Sequence, residues 1–293
     1  MIVERFAPSP TGLLHLGHAY SAWMGWQAAR AGGGKFLLRM EDLDRARVRP
    51  EFYTAIERDL TWLGLEWAGE ILRQSDRLDA YREALTILDD LGLLFRCTCT
   101  RRDIQAAIAA PQEGTPSHGP DGVVYPGTCR AARHGHETDH AIRLDIAAAI
   151  EHLGGAHVLG ALAFDELGQG PDDQSGRIAL DARHLIEHVG DVVLARRDGA
   201  IAYHLAVVVD DAHQGVTHVT RGEDLFSATP IHRLLQALLG LPTPAYRHHR
   251  LVRDENAKRL AKRDDARAVS AYRDQGLSPQ EVLRMAGVRD PRA

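Results

Sequence analysis

The apolar positions change rhythm twice within the first 40 residues. Ile2 to Phe6 is a short apolar-rich run, Leu16 to Ala31 carries apolar residues at helical spacing and stops at Gly32-Gly33-Gly34, and Lys35 to Met40 is again mostly apolar. The pattern predicts strand, helix, strand, and so a parallel pair joined by a right-handed crossover. Ligands of such sheets bind beyond the carboxyl ends of the strands, where Glu41, Asp42 and Asp44 follow. Pro50 to Leu63 and Asp76 to Leu91 have the spacing of amphipathic helices, and Leu93 to Thr98 reads as a further strand. From about Arg101 to Glu137, Gly, Pro, His and Arg recur without a steady period, which predicts an inserted subdomain lacking a large core. Ile201 to Asp211 and Val216 to Asp224 read as strands that complete a split parallel sheet, and Pro230 to Leu239 as a helix. No internal repeat, heptad array or low-complexity tail is present.

With 293 residues, 44% apolar and 26% charged, the chain can bury a substantial core in one large or two to three modest domains. It contains no run of about 20 apolar residues and no basic-then-apolar leader, so the reading is a cytoplasmic chain without a membrane span. The net charge of -5 argues against a protein that coats nucleic acid, although a local basic patch still suits an RNA backbone. Lysine is rare, with only Lys35, Lys258 and Lys262 among 35 basic residues. Two of the three fall in the tract Arg247 to Arg263, which sets seven Lys or Arg against Asp254 and Glu255. An ammonium retained there points to a role for a compact, mobile charge.

Pro8-Ser-Pro-Thr-Gly-Leu-Leu-His15-Leu-Gly17-His18 places two imidazoles at i and i+3 where a turn enters an apolar helix. Unpaired N–H groups at a helix start attract phosphate oxygens, and imidazoles on one face can donate hydrogen bonds to developing negative charge. The segment resembles the HIGH signature of class I aminoacyl-tRNA synthetases, and Arg5-Phe-Ala-Pro-Ser-Pro-Thr-Gly resembles their glutamyl branch. Lys258-Arg-Leu-Ala-Lys262-Arg263 resembles the KMSKS loop of the same class, with Arg259 in place of the first lysine and Ala261 in place of the serine. The loss of that hydroxyl bears on how the loop is ordered.

All three cysteines sit within 33 residues, as Cys97-Thr-Cys99 and Cys129. An odd count in a cytosolic chain argues against a disulfide framework, and thiolates on a short knuckle plus a distant third suit tetrahedral zinc with one ligand still to be found. Spacing leaves His118, His134 and His136 open as that ligand. The Cys-x-Cys and Tyr125-x-x-x-Cys129 arrangement resembles the zinc site of glutamyl-queuosine tRNA(Asp) synthetases, and the resemblance makes Tyr125 the fourth ligand of one structural zinc per chain.

The resemblance covers Arg5 to about Arg267. It implies an α/β fold: a Rossmann-like parallel-sheet catalytic domain, an inserted zinc-binding subdomain and a short helical C-terminal region. The divisions expected are 1–96 and 191–245 for the catalytic halves, 97–190 for the insertion, and 246–293 for the KMSKS-type loop and terminal helices. It implies activation of glutamate by ATP, with His15, His18 and Lys262 as catalytic groups, His15, Gly17, His18, Arg259 and Lys262 on ATP, and Mg²⁺ bridging phosphates. Glutamate would lie among Arg5, Phe6, Ala7, Pro8, Ser9, Glu41, Tyr203 and Arg221, with Arg5 on the side-chain carboxylate. About 30 residues after Arg263 allow two helices at most, so no anticodon-binding domain of the glutamyl-tRNA synthetase kind is expected. Together with the Tyr125-x-x-x-Cys129 pattern this resembles the glutamyl-queuosine tRNA(Asp) synthetases, and the resemblance implies transfer of glutamate to queuosine at the wobble position in the anticodon stem-loop of tRNA(Asp), by a monomer. The rival readings are a truncated glutamyl-tRNA synthetase charging tRNA(Glu), a small-molecule adenylate-forming ligase of the pantothenate synthetase type, and a non-catalytic RNA-binding relic.

Overall fold

The computed structural model describes residues 1–109, 118–120, 122–132, 139–252 and 267–290. The opening follows the expected pattern: β1 (Val3–Phe6), α1 (Leu16–Ala31) and β2 (Lys35–Met40), with β1 and β2 parallel from Val3 opposite Lys35 to Phe6 opposite Leu38. Gly34 permits the return into β2, because a Cβ there would stand 1.9 Å from the Ile2 carbonyl oxygen. Helix α2 (Pro50–Trp62), with proline in its first turn, leads to the short β3 (Leu72–Arg73), parallel to β2.

Next come α3 (Leu78–Asp90), β4 (Leu94–Cys97), α4 (Arg101–Ala109), β5 (Ala141–Leu144), α5 (Ile146–His152), α6 (Gly155–Leu159), β6 (Ala163–Glu166), β7 (Gly176–Ala179), α7 (Ala182–His184) and β8 (Val193–Ala195). The order β4-β5-β8 makes a separate antiparallel sheet. Helix α4 falls where no period was expected. Its start is a reciprocal cap: the Thr100 N–H and hydroxyl donate to the Asp103 carboxylate, and the Asp103 N–H donates back to Thr100 Oγ1.

The chain finishes with α8 (Tyr203–His213), β9 (His218–Gly222), α9 (Thr229–Leu238), β10 (Ala245–His249), α10 (Val269–Asp274) and α11 (Pro279–Ala286). Strands β9 and β10 are parallel, and β10 continues through parallel β6 to antiparallel β7. Thr217 N–H donates to the Val3 carbonyl (2.9 Å), and buried Glu4 accepts from the Thr220 N–H and hydroxyl, so β9 lies against β1. Successive crossovers therefore run outward in opposite directions from the β1/β9 junction, the topological switch point of an open α/β sheet.

One expected strand is a helix. Ile201 to Asp211 contributes to α8, buried at His204 through Val208 and at Asp210 and Asp211. A run that is apolar on nearly every side shows no helical period, so strand and buried helix read alike. Consecutive residues of a helix project about 100° apart, and Asp210 and Asp211 reach different partners. Asp210 accepts from Gln74, Arg77 and Tyr81, while Asp211 accepts from Arg39 Nη1 (2.7 Å) and Arg5 Nε (3.1 Å).

The Asp211 cluster yields a stability prediction. Burial raises the Asp211 pKa, but Arg5 and Arg39 outweigh it and hold the carboxyl below its ordinary value. Its contribution is therefore complete above the ordinary carboxylate value near pH 4 and is lost as pH falls below that. Asp211→Asn leaves two buried guanidinium groups without their carboxylate, and should cost about 3–5 kcal/mol at pH 7, read from the urea midpoint.

Candidate active site

Strand ends meet at one edge of the sheet around a cleft of about 460 Å³. Arg5, Phe6, Ala7, Pro8 and Ser9 line it from β1 and the loop beyond, His15, Gly17 and His18 from the start of α1, and Glu41 from the end of β2. Tyr203 enters from the start of α8, Arg221 from β9, and His249, Leu251 and Val252 from β10 and its exit. The residues expected to touch glutamate thus share one cavity with the imidazole pair. Arg259 and Lys262, expected on ATP, lie outside the described residues. The described residues flanking that segment reach the cleft edge: Val252 lines it, and Ala268 forms a β-bridge with His15.

The imidazoles form the helix cap. Gly17 N–H donates to His15 Nδ1 (3.1 Å) and His15 N–H donates to His18 Nδ1 (3.2 Å), with ring centroids 3.7 Å apart. Because each Nδ1 accepts a backbone hydrogen, each neutral ring carries its proton on Nε2. Both histidines can therefore act as donors in the tautomer set by the helix start. Glycine at position 17 leaves the His15 ring this place, since a Cβ would stand 3.0 Å from it and press it aside.

The arginines of the cleft differ in their company. Arg5 gives its Nε to Asp211, which also holds Arg39, and Arg39 Nη2 lies 3.5 Å from Glu41. Burial raises the Glu41 pKa while Arg39 and Arg5 lower it. Arg221 is 5% exposed, yet among the described residues no carboxylate pairs with it. Its donors go to neutral groups: His248 Nε2 (3.0 Å), His232 Nδ1 (3.2 Å), Tyr203 Oη (3.4 Å) and Thr229 Oγ1 (2.7 Å). A buried, uncompensated guanidinium favours an anion within reach.

Away from the cleft, the sulfurs of Cys97, Cys99 and Cys129 lie within 4.8 Å of one another, at the end of β4 and in the loop before β5. Cys99 and Cys129 sulfurs are 3.4 Å apart, the Tyr125 hydroxyl is 3.6 Å from Cys99 Sγ, and it accepts from the Cys129 N–H at 2.7 Å. Zinc–thiolate bonds of about 2.3 Å give tetrahedral S···S edges of about 3.8 Å, so the three thiols can hold a metal ion. His118 does not join the cluster, and His134 and His136 lie outside the described residues.

Sequence reasoning missed Asp211, His232, His248, His249 and Glu166, which hold or line the cleft. A usable signal was present in the Asp210-Asp211 pair, which ends an apolar run, and in the adjacent histidines His248-His249.

A model of the catalytic domain of class I tRNA synthetases (E and Q) matches residues 1–290. Glutamyl-Q tRNA(Asp) synthetase of Rhodobacter capsulatus is 53% identical over 98% of this chain and 100% of that protein. The protein of the same name from Deinococcus radiodurans is 45% identical over 96% of this chain and 86% of its own. Among solved structures, a glutamate tRNA ligase from Elizabethkingia meningosepticum in complex with its amino acid has the same fold, with a TM-score of 0.74 at 24% identity. That alignment covers 98% of this chain and 60% of the ligase, so this chain spans less than two thirds of that protein. With the split parallel sheet, the imidazole-capped helix at its switch point and these matches, the chain belongs to the class I tRNA synthetases (E and Q), a family of ligases.

Proposed function

We propose that the chain activates L-glutamate with ATP and transfers the glutamyl group to queuosine in the anticodon stem-loop of tRNA(Asp). The observation that carries this reading is one cavity holding both the helix-capping imidazoles and the set Arg5, Glu41, Tyr203 and Arg221. The names of the 53% and 45% identical relatives support the choice of acceptor.

In the first step a carboxylate oxygen of glutamate attacks the α-phosphorus and the bond to pyrophosphate breaks. His15 and His18 donate from Nε2 to phosphate oxygens, and the ammonium of Lys262, with Arg259, adds positive charge. Mg²⁺ brought in with ATP would supply further neutralisation of phosphate charge. Arg5 keeps its terminal nitrogens for the side-chain carboxylate, Glu41 faces the α-ammonium, and Tyr203 contributes its hydroxyl. In the second step a hydroxyl of queuosine attacks the acyl carbonyl, the bond from the carbonyl carbon to the phosphate oxygen breaks, and AMP departs with the hydroxyl's proton on its phosphate. Zinc on Cys97, Cys99, Cys129 and Tyr125 would have no open position and would serve as a cross-link between β4 and the following loop. The division into catalytic halves 1–96 and 191–245, insertion 97–190 and terminal region 246–293 accompanies this reading, as does action by a monomer in the cytoplasm.

Glutamate-dependent exchange of pyrophosphate into ATP should proceed without RNA, and labelled glutamate should enter queuosine-bearing tRNA(Asp) but not tRNA(Asp) lacking the modified base. Labelling of tRNA(Glu) instead would move the chain to the rival glutamyl-tRNA synthetase reading. His18→Ala removes one phosphate donor and should lower the exchange kcat roughly 100- to 1,000-fold. Metal analysis should find about one zinc per chain, falling well below that in Cys129→Ser, with new protease cleavage between residues 97 and 132. A zinc-free preparation that is fully active and equally resistant would remove the structural metal from the account.

A further inference from the structure

The residues around Arg221 form a buried network that the proposed chemistry leaves unused. Arg221 is always a donor, so the nitrogens that receive its hydrogens must be unprotonated. His248 therefore accepts at Nε2, carries its proton on Nδ1, and gives it to Glu166 Oε2 at 2.5 Å. His232 accepts at Nδ1, carries its proton on Nε2, and gives it to His204 Nδ1 at 3.0 Å. One guanidinium thus fixes the tautomers of three imidazoles. The nearest carboxylate in this network, Glu166, is kept one ring away from Arg221, and is itself held by the His248 and Gly168 N–H groups.

An acidic residue in the place of either contacting imidazole would make an ordinary one-to-one buried ion pair, and most of the charge of Arg221 would then be spent inside the protein. Across the cleft one carboxylate, Asp211, is shared by Arg39 and Arg5, so two cations meet one anion there. We propose that His232 and His248 are positioning residues that grip Arg221 through neutral acceptors, so that its charge stays available, together with that of Arg5, to the side-chain carboxylate in the cleft and the site prefers an acidic amino acid to its amide. Burial lowers the pKa of both rings and the charge of Arg221 adds to this; at His248 the hydrogen bond to Glu166 opposes the shift without reversing it. The inference rests on the reading of the cleft as a glutamate site.

The test compares His232→Glu, His232→Leu and His232→Gln in glutamate-dependent pyrophosphate exchange, with glutamine as competing substrate and melting temperature as a check on folding. His232→Glu supplies a carboxylate to Arg221 and should raise the KM for glutamate roughly 30-fold or more while the KM for ATP stays within about twofold. His232→Gln can accept from Arg221 and donate to His204, so it should stay within about threefold of the parent in glutamate KM, and His232→Leu should fall between. The preference for glutamate over glutamine should shrink in the same order. A folded His232→Glu protein with the parental glutamate KM overturns the proposal, and so does a Gln variant no better than Leu. Absence of glutamate-dependent exchange in the parent chain would instead overturn the reading of the cleft, and this inference with it.

Discussion

Asp211 accepts hydrogen bonds from two guanidinium groups at once, and the geometry of the cleft follows from that shared carboxylate. Arg5 comes from β1, Arg39 from β2 and Asp211 from α8. One buried anion therefore ties two neighbouring strands of the parallel sheet to the helix that carries Tyr203. None of these charges could be buried alone at acceptable cost, but together they satisfy one another. The Nε contact orients Arg5 and leaves its terminal nitrogens unspent, and Arg39 in turn lies beside Glu41. Two positions suited to the ends of an amino acid are thus built outward from a single ion cluster.

Across the cleft the principle is reversed. Arg221 is surrounded by acceptors that carry no charge, and the start of α1 adds backbone N–H groups and two imidazoles whose outward nitrogens bear hydrogen. The whole chain is acidic, with a net charge of -5, yet this edge of the sheet is arranged to receive anions. Net charge says little about such a site, because fields inside a cleft depend on which charges are compensated locally. The triphosphate and the amino acid of the proposed reaction would both bring negative charge, and the two walls would meet it differently: imidazole and backbone donors at the helix start, and at β9 a cation that no carboxylate among the described residues pairs with.

The parts of this arrangement visible in the sequence are those with a period or a spacing. Leu16–Ala31 and Lys35–Met40 match the expected helix and strand because apolar spacing and the glycine stop act locally. Ile201–Asp211 misled because burial on all sides erases the period, and only tertiary packing decided for α8. The cap before α4 was legible as Thr100-x-x-Asp103 but was obscured by the irregular composition after it. Arg5, Glu41, Tyr203 and Arg221 were gathered by resemblance; nothing in their spacing brings residues so far apart in the chain to one cavity. The histidines behind Arg221 were invisible for a related reason: a buried imbalance of charge exists only once the neighbours are known.

The cysteine cluster and the cleft are also less separate than their positions in the chain suggest. Tyr125, beside the thiols, and Tyr203, in the cleft, both line a second cavity of about 540 Å³. Arg143 forms part of the same wall, stacks over the Tyr125 ring at 4.0 Å and donates to the Asp191 carbonyl, while Asp191 also holds Arg130 at 2.6 Å. Fixing the loop that carries Tyr125 therefore bears on a wall shared with Tyr203, which also lines the cleft. A metal held by these thiols would matter to catalysis in this way without any chemistry of its own, because a displacement of about 1 Å in a positioned group is enough to lose two orders of magnitude in rate.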